Sequence, residues 1–516
     1  MNLSLLIILP LLTATAILLC RGLKQVRIVA LAGTLLQLLI SFFLLYAYWQ
    51  QRAAGNTDAM LFQYDAVWFK QLNIHYEIGV DGISIAMILL TAFVVLAGVL
   101  VSWTEERMSK EFFFLLILLS VGAYGYFISL DLFTLFFFLE IAVIPKFLLI
   151  GIWGSGKKEY SAMKLALMLT AASALVFVGL IGLYFNTATA SGSHTFDLLQ
   201  IAQMNIPVDV QKLFFPFAFI GFGIFTALFP FHTWVPDGHS SAPTAASMFL
   251  AGISMKLGGY GCLRVATYLM PDAAHAYSLV IILLATIAII YGAFATMMQK
   301  DLKYINAYSS VSHCGFVLLG IGMLTQTSIT GAVMQMVSHG LMTALFFAAI
   351  GMIYNRTHTR MVAQLGGLLK VMPFISAVFV IAGLCSLGLP GFSGFVAEMT
   401  VFMGSWQNPG TLYRVATILA TASIVVTAVY ILRAVGQVIM GPLKIPEDSS
   451  SFLSKTRPGI PGVGLDMDAT WNEKFAAAIL IIGIVAIGIA PFWLSDLITP
   501  ATQTIIDHTL NNMIVK

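Results

Sequence analysis

The chain has 516 residues, of which 59% are hydrophobic and 9% are charged, and its formal net charge at pH 7 is +3. Soluble domains carry about 25% charged residues, so this composition excludes a soluble protein and predicts a polytopic membrane protein. A net charge this small does not suggest a nucleic-acid-binding protein. The cysteines lie in apolar segments without a CxxC pair, which argues against an iron–sulfur site or a disulfide framework. They are Cys20, Cys262, Cys314 and Cys385.

Fourteen apolar segments are long enough to cross a membrane, because a spanning helix needs about 20 mostly apolar residues. In chain order they lie near residues 2–20, 27–49, 82–103, 112–130, 132–152, 162–185, 212–231, 243–268, 277–298, 304–322, 329–354, 371–403, 411–440 and 474–495. The first has no basic region before it and is followed by Arg21 and Lys24, so it is interpreted as a retained helix. The predicted fold class is an all-α polytopic membrane protein with 14 transmembrane helices.

Segments seven and twelve are broken in a matching way. Segment seven ends in LFPFHTWVP, and segment twelve reads CSLGLPGFSGFVAEMTVF. Proline removes a helical hydrogen bond and glycine tolerates unwound backbone, which persists at membrane depth only inside protein or beside a wet cavity. Because the breaks lie five segments apart, the sequence predicts two inverted five-helix repeats with discontinuous helices 7 and 12, which is a transporter pattern.

These repeats divide the chain into four predicted regions. Residues 1–110 would hold transmembrane helices 1–3, and residues 111–270 would hold the first repeat, helices 4–8. Residues 271–440 would form the second, inverted repeat, helices 9–13. Residues 441–516 would contain a cytoplasmic loop, helix 14 and a C-terminal tail.

The basic residues are distributed unevenly between the two sides of the predicted bundle. Of the 26 lysine and arginine residues, 17 lie in odd-numbered loops, 5 lie in even-numbered loops and the tail, and the remaining 4 lie inside helices. Because loops rich in lysine and arginine stay in the cytoplasm, both termini are predicted to lie on the periplasmic or outer side.

Five ionisable residues inside the predicted spans form the candidate site. They are Glu140, Lys256, His313, His339 and Glu398. A charged side chain at membrane depth costs roughly 2.5–3.5 kcal/mol on insertion scales, and a helix that only spans has no need of one. A lone lysine could neutralise a carboxylate in the bundle, and a lone histidine is more often a hydrogen-bonded core residue. The whole series instead predicts a proton relay, because such groups pass protons in steps when water links them.

A polar, proline-broken passage from Pro230 to Pro243 joins segments seven and eight. It contains His232, Asp237 and His239, which we predict to form the cytoplasmic entrance of the first half-channel or to cap the helix break. The two histidines flank Asp237 without a spacing of the HExxH kind, so no metal site is predicted. The sequence lacks a dinucleotide fingerprint and a phosphate loop, so no cofactor site is predicted in this chain.

Six stretches carry a resemblance to a known family. In chain order they read FFFLEIAVIP, FHTWVPDGHSSAPTAASMFLAGISMKLGGYGCLR, DLKYINAYSSVSHCGFVLLGI, QMVSHGL, MIYNRTHTR and GLPGFSGFVAEM. The sequence resembles the antiporter-like subunits of respiratory complex I, specifically the subunit M, or chain 4, type of bacterial NADH-quinone oxidoreductase. Subunit L usually has a lateral helix after its core, which nothing after residue 495 is expected to supply here. Subunit N usually has lysine at the position of Glu398.

The resemblance implies the same fourteen-helix fold and a role for each candidate residue. Glu140 matches the helix-five glutamate of the family, and Lys256 matches the central lysine of helix eight. His313 matches the helix-ten residue that links the half-channels, and His339 matches a nearby relay position. Glu398 matches the exit-side acid of helix twelve.

The chain departs from the family pattern at one position. Relatives usually carry a helix-seven lysine seven residues before the histidine of FHTW, and that position is Phe225 here. Lys146 lies six residues after Glu140, where relatives usually have an uncharged residue. We therefore consider Lys146 as the replacement for the helix-seven lysine. The alternative is that its side chain extends to the cytoplasmic surface.

The function implied by the resemblance is proton translocation in NADH-quinone oxidoreductase, where quinone reduction elsewhere in the complex drives the relay. An Mrp-type cation/proton antiporter subunit is the alternative, and an inert scaffold that has lost conduction is a third hypothesis. NADH, FMN, iron–sulfur clusters and quinone are expected in other subunits, with no redox centre in this chain. The expected partners are L-type and N-type antiporter-like subunits and lipids, in a bacterial inner (plasma) membrane.

Overall fold

The computed structural model describes residues 2–187, 193–446 and 467–514, which are mostly helical. Within these ranges ten helices are long and apolar enough to cross a membrane. They are Leu23–Ala53, Gly82–Val101, Ser109–Ile128, Leu132–Trp153, Lys158–Phe185, Val208–Phe225, Pro271–Met297, Gln326–Thr357, Thr411–Ile439 and Trp471–Ile489. Two further apolar helices, Leu5–Leu19 and Pro373–Ser386, are shorter. The chain is therefore a helical polytopic membrane protein.

The helix Gln326–Thr357 lies at the centre of the bundle, because every residue in its most apolar window is buried. The helix Thr411–Ile439 lies at the periphery, with 39% of the corresponding window buried. The bundle also contains helices that do not meet both the length and the hydropathy expected of a membrane span. They are Trp234–Ser241, the continuous helical residues 244–269, Leu302–Gly322, Ser393–Trp406 and Phe492–Ile514.

The prediction of an all-α fold was wrong in one place, because an antiparallel hairpin follows the second helix. Its strands are Leu61–Phe69 and Ile74–Val80, and Asn73 turns the chain with a left-handed φ of 51°. Aromatic and β-branched residues, as in FQYDAVWF, favour strands. At nine and seven residues the strands are too short to be detected as membrane spans, and none of the predicted segments includes them.

The hairpin is tied to the start of the helix Leu132–Ile141. The His75 amide donates to Asp131 Oδ2 at 3.0 Å, and the Leu130 amide donates to Glu77 O at 2.9 Å. The Thr134 hydroxyl donates to His75 O at 2.9 Å. The hairpin thus packs as part of the bundle rather than as a free loop.

Glu77, on the second strand of the hairpin, has a titratable carboxyl group whose pKa reports on the packing of the hairpin. Burial raises its pKa to about 8, and the negative charges of Asp197, Asp65 and Asp131 act in the same direction. A carboxyl with a pKa above its ordinary value of 4.5 keeps its proton on folding, so stability falls as the pH rises from about 4.5 to about 8. We expect the thermal unfolding midpoint to fall less over this range in Glu77→Gln than in the unmodified protein. Equal falls in both would contradict this assignment.

The predicted segment 132–152 is not one regular helix. Its first part ends at Ile141, Ala142 interrupts the helix, and the second part begins at Val143. Pro145 is the physical reason, because proline has no N–H to donate to the carbonyl four residues earlier, which is Ile141. Glu140 and Lys146 therefore lie on different helical pieces, and the geometry of a regular helix does not relate them.

The polar, proline-broken passage between segments seven and eight is mostly helical. The helix that ends at Phe225 is followed by an irregular stretch and then by the helix Trp234–Ser241. Trp234 Nε1 donates to Ile224 O at 2.9 Å, which satisfies a carbonyl at the broken end. Only Ala242 and Pro243 then connect to the next helix, so the polar passage lies mostly within a broken helix.

The predicted segment 371–403 consists of the helices Pro373–Ser386 and Ser393–Trp406. Between them Gly388 and Gly391 have φ values of +72° and +98°, which glycine adopts without strain. A Cβ atom at Gly388 would lie 2.6 Å from Glu398 Oε2. This glycine therefore gives the Glu398 carboxylate its space.

The predicted C-terminal tail is helical from Phe492 to Ile514. Its buried face includes Leu497 and Ile498, and the Thr502 hydroxyl lies 2.8 Å from that of Thr330. A helix after residue 495 was not expected. Its apolar residues are spaced so that one face of the helix is buried. The helix packs on its own chain, in contact with Gly82–Val101 and Gln326–Thr357.

Candidate functional site

Lys256 lies on the helical residues 244–269, just after a π-helical segment, Leu250–Ser254. The Lys256 side chain is buried, and Nζ donates to Ala251 O at 2.5 Å. Ala251 is five residues earlier, so the lysine uses a carbonyl that the wider π turn leaves accessible. π segments occur frequently at functional sites.

His339 is the second partner of Lys256. Lys256 Nζ lies 2.7 Å from His339 Nδ1, and both side chains are buried. His339 lies on the central helix Gln326–Thr357, so the lysine contacts the middle of the bundle. A protonated lysine donates to Nδ1, which leaves the histidine proton on Nε2.

His313 and Glu398 form the other end of this buried line. His313 Nδ1 lies 3.3 Å from Glu398 Oε1, and Gln335 Nε2 lies 3.3 Å from the same nitrogen. His313 Nε2 lies 3.1 Å from Ser386 Oγ, at the end of the helix before the break. The break thus brings a carboxylate and a hydroxyl to opposite nitrogens of one histidine ring.

The two histidine rings bridge the halves of the site. The ring centres of His313 and His339 are 5.4 Å apart, and His339 Nε2 has no hydrogen-bond partner among the described residues. The order is therefore Lys256, His339, His313 and Glu398. We call these four residues the buried line.

Glu140 lies away from the buried line and is half-buried. The Ser173 hydroxyl, on the helix Lys158–Phe185, donates a short hydrogen bond to Glu140 Oε1. The exposed ring of Phe137 lies one turn before it. Glu140 is therefore at the edge of the chain, with one face open to whatever packs beside it.

Lys146 is completely buried and does not extend to the surface. Its Nζ lies 6.0 Å from the ring centre of Phe225 and has no hydrogen-bond partner in the described chain. Phe225 occupies the position where the resemblance places a lysine. Lys146 and Glu140 attract each other electrostatically, and the ammonium lies near Phe225, the last residue of the helix before the break in segment seven.

The three predicted entrance residues do not form one cluster. Asp237 pairs with Lys164 at 2.6 Å and accepts from the Tyr304 hydroxyl at 3.2 Å, so it links neighbouring helices. His232 is buried and packs against the ring of Tyr291, with ring centres 4.9 Å apart. His239 is fully buried, and neither ring nitrogen has a partner among the described residues.

His239 interacts electrostatically with Lys256 of the buried line and with the buried Lys303. Lys303 Nζ donates to Ala242 O at 2.7 Å, directly after the helix that carries His239. The polar passage thus brings the His239 imidazole, which has no hydrogen-bond partner among the described residues, within electrostatic range of Lys256.

Several polar residues of the site were not predicted from the sequence. They are Ser173, Gln335, Ser386, Ser338 and Ser393. Gln335 could have been found, because it lies four residues before His339 and therefore on the same helix face. The serines carry no such signal, since their roles depend on contacts between helices distant in sequence.

The geometry is that of a membrane bundle with broken helices and a buried line of ionisable groups. A family model described as NADH:quinone oxidoreductase/Mrp antiporter, transmembrane, matches residues 129–425, which contain every residue of the site. The match covers more than half of the chain, and the chain belongs to this antiporter-like membrane family.

Its curated relatives are of the chain 4, or subunit M, type of complex I. The chain is 35% identical over 483 residues to NAD(P)H-quinone oxidoreductase chain 4-2 of Synechocystis sp., covering 91% of this chain and 85% of that protein. It is 37% identical over 460 residues to a chain 4 of Microcystis aeruginosa, covering 86% and 82%. It is 35% identical over 489 residues to the chloroplastic chain 4 of Mesostigma viride, covering 94% and 92%.

Solved structures share the fold. A chain of respiratory complex I from Thermus thermophilus aligns with a TM-score of 0.85 at 24% identity, covering 98% of this chain and 99% of that chain. A chain of the Mrp complex from Dietzia sp. aligns with a TM-score of 0.82 at 20% identity, covering 99% and 98%. The shared fold therefore spans respiratory and antiporter complexes.

Proposed function

We propose that this chain is a proton-translocating membrane subunit of NADH-quinone oxidoreductase, in which quinone reduction elsewhere in the complex drives proton pumping. The observation that carries this proposal is the buried line from Lys256 through His339 and His313 to Glu398. Each of these groups both binds and releases a proton, and burial keeps their charges from being screened by bulk water.

Transfer along the line follows from the contacts. A proton that passes from Lys256 to His339 leaves a neutral amine and a charged imidazolium. The ring centre of His339 lies 5.4 Å from that of His313. Glu398 Oε1 lies 3.3 Å from His313 Nδ1, so the carboxylate attracts a proton on that ring. A water molecule between the rings would complete the step, because the rings make no direct hydrogen bond with each other.

Glu140 and Lys146 regulate the line in this proposal. The buried ammonium of Lys146 replaces the helix-seven lysine of the family. Its attraction to Glu140 opposes release of the Lys146 proton. Charge repulsion from a protonated Lys146 would favour release of a proton from Lys256. His239 would deliver protons to Lys256, while His232 and Asp237 hold the broken helix that carries it.

The proposal includes the finer features of the fold. We propose 14 transmembrane helices, two inverted five-helix repeats over residues 111–270 and 271–440, and both termini on the periplasmic side of a bacterial inner membrane. L-type and N-type antiporter-like subunits would pack on either side, together with lipids. The half-open position of Glu140 fits such a contact. NADH, FMN, iron–sulfur clusters and quinone would be bound by other subunits.

One experiment separates this function from Mrp-type exchange of sodium and protons. Inverted membrane vesicles that contain the complex are supplied with electron donor and quinone, and acidification of the lumen is followed with a pH-sensitive dye. We expect acidification driven by electron transfer in sodium-free buffer. Acidification that requires a sodium gradient and no electron donor would instead support the antiporter.

A further inference from the structure

A cleft with a basic lining lies between the ends of the helices Pro271–Met297 and Thr411–Ile439, and we call it the basic cleft. It has a volume of about 790 Å³, and small-molecule sites have volumes of about 300–1,000 Å³. Its basic side chains are Lys300, Arg433 and Lys444, and no acidic residue lies among the described residues that line it. No residue of the buried line contributes to this lining. The charge of the basic cleft therefore favours an anionic ligand.

Two of the cations are held in place by the backbone. Arg433 Nη2 donates to Met297 O at 2.6 Å, and Lys444 Nζ donates to Ala363 O at 2.5 Å. The Lys444 amide also donates to Gly366 O at 2.9 Å, which fixes the chain at this wall of the cleft. Neither cation forms a salt bridge in the described part of the chain. Arginine has five N–H donors and lysine has three, so most of their donors remain available to the oxygens of a phosphate group.

Exposed apolar side chains continue from the basic cleft along the same two helices. On one helix Val429 and Leu432 are 49% and 54% exposed, and Leu432 adjoins Arg433. On the other helix Phe294 is 50% exposed, and Met298, which lines the cleft, is 74% exposed. Spacings of three and four residues place the two members of each pair on one helix face. We call these four side chains the apolar strip.

A basic pocket between membrane helices, next to an apolar surface, has the arrangement of an anionic phospholipid, with its charged headgroup and apolar chains. We propose that the basic cleft binds the phosphate headgroup of an anionic phospholipid, whose acyl chains lie along the apolar strip. The bound lipid would join the ends of the helices Pro271–Met297 and Thr411–Ile439. This inference depends on the location of the chain in a membrane and is independent of proton translocation.

Photo-crosslinking of phospholipids tests the site in the assembled complex. The complex is reconstituted in phosphatidylcholine vesicles that contain a trace of phosphatidylglycerol or phosphatidylcholine, each with the same diazirine-bearing acyl chain. Labelled peptides are then identified by mass spectrometry. We expect phosphatidylglycerol to label the peptides of the apolar strip several-fold more than phosphatidylcholine does. The exposed Leu39 and Phe43, on the helix Leu23–Ala53, are the internal control and should be labelled equally by both lipids. Equal labelling of the apolar strip by both lipids would overturn the proposal.

A matched pair of variants at Gly436, which lines the basic cleft, tests the role of charge. A Cβ atom added at Gly436 would meet no atom within 4 Å, so the fold accommodates a side chain there. Gly436→Glu and Gly436→Gln add side chains of nearly equal size, and only the first adds a negative charge. We expect Gly436→Glu to lower labelling by phosphatidylglycerol to the level of phosphatidylcholine, because the carboxylate repels the headgroup. Gly436→Gln should keep most of the difference between the two lipids.

A second matched pair tests the cations themselves. Arg433→Gln combined with Lys444→Gln removes two positive charges from the basic cleft. Lys157→Gln combined with Lys370→Gln removes the same charge from two exposed lysines outside it. We expect the first double variant to lose the preference for phosphatidylglycerol at the apolar strip and the second to keep it. Equal effects of the two double variants would show a response to overall charge and would overturn the site.

Two further outcomes identify a different occupant. If inorganic phosphate abolishes the labelling preference and sodium chloride of equal ionic strength does not, the basic cleft binds soluble phosphate, and the lipid proposal is overturned. If both lipids label the apolar strip equally and Gly436→Glu, but not Gly436→Gln, reduces assembly of the complex, the occupant is an acidic surface of a neighbouring subunit. None of these readouts measures proton pumping, so failure of the proposed function and failure of this inference are distinguishable.

Discussion

Lys256→Ala should abolish proton pumping and leave the chain assembled in the membrane. Among the described residues, Lys256 Nζ has two hydrogen-bond partners, Ala251 O and His339 Nδ1. Neither carries a fixed charge, so removal of the lysine leaves no opposite charge unpaired there. The truncated side chain opens a small polar space that water can fill. Transfer along the buried line ends at the gap, because His339 then has no proton donor at 2.7 Å.

The measurement is dye-detected acidification of inverted vesicles, with the amount of complex determined by immunoblot. Lys256→Arg is the matched control for charge, because it keeps a cation that does not release its proton. It should assemble and also fail to pump. Glu398→Gln should give the same result at the other end of the line. Normal pumping by Lys256→Ala in assembled complex would rule out the relay.

Arg264→Leu should have the opposite profile, with loss of assembled protein before any specific loss of transport. Arg264 lies in the second π segment of the Lys256 helix, Cys262–Thr267, and pairs with Asp81 in a buried salt bridge. Asp81 also accepts from the Ser84 amide at 2.9 Å and so caps the helix that begins at Gly82. Removing one partner of a buried pair costs about 3–5 kcal/mol, because the other charge stays buried without compensation.

A double variant distinguishes this cause from lost packing. In Asp81→Asn with Arg264→Leu no charge is left unpaired, and asparagine still caps the helix. We expect the double variant to recover much of the thermal unfolding midpoint and membrane abundance that Arg264→Leu loses. A double variant no more stable than Arg264→Leu would show that packing of Arg264 over the Tyr260 ring, at 5.5 Å, matters more than its charge.

The ionisable members of the buried line could be predicted from sequence because charge at membrane depth is rare and costly. The family assignment and the helical membrane fold were confirmed, and they followed from long motifs and from hydropathy. The fourteen-helix count, the orientation and the relay roles stay predictions. The hairpin was missed because strands of nine and seven residues fall below the length at which an apolar window detects a span.

Other parts of the site could not be predicted because they depend on packing between distant elements. The π segment before Lys256 has no composition that marks it, and it follows from how that helix packs. The burial of Lys146 depends on the helix interruption at Ala142 and on the ring of Phe225 from another helix. Sequence reasoning had left the surface and the interior as alternatives for this lysine. Contacts from Ser173 and Ser386 likewise join helices that are far apart in the chain.

The carbonyl that the π segment offers to Lys256 has a consequence for the speed of the first transfer step. A lysine amine that has lost its proton still carries two N–H groups and gains one lone pair. It can keep donating to Ala251 at 2.5 Å while accepting from the newly protonated Nδ1 of His339 at 2.7 Å. The transfer therefore reverses the polarity of one hydrogen bond and breaks none. The heavy atoms need little reorganisation, so motion of the proton itself, and not of the side chains, would set the pace at this point.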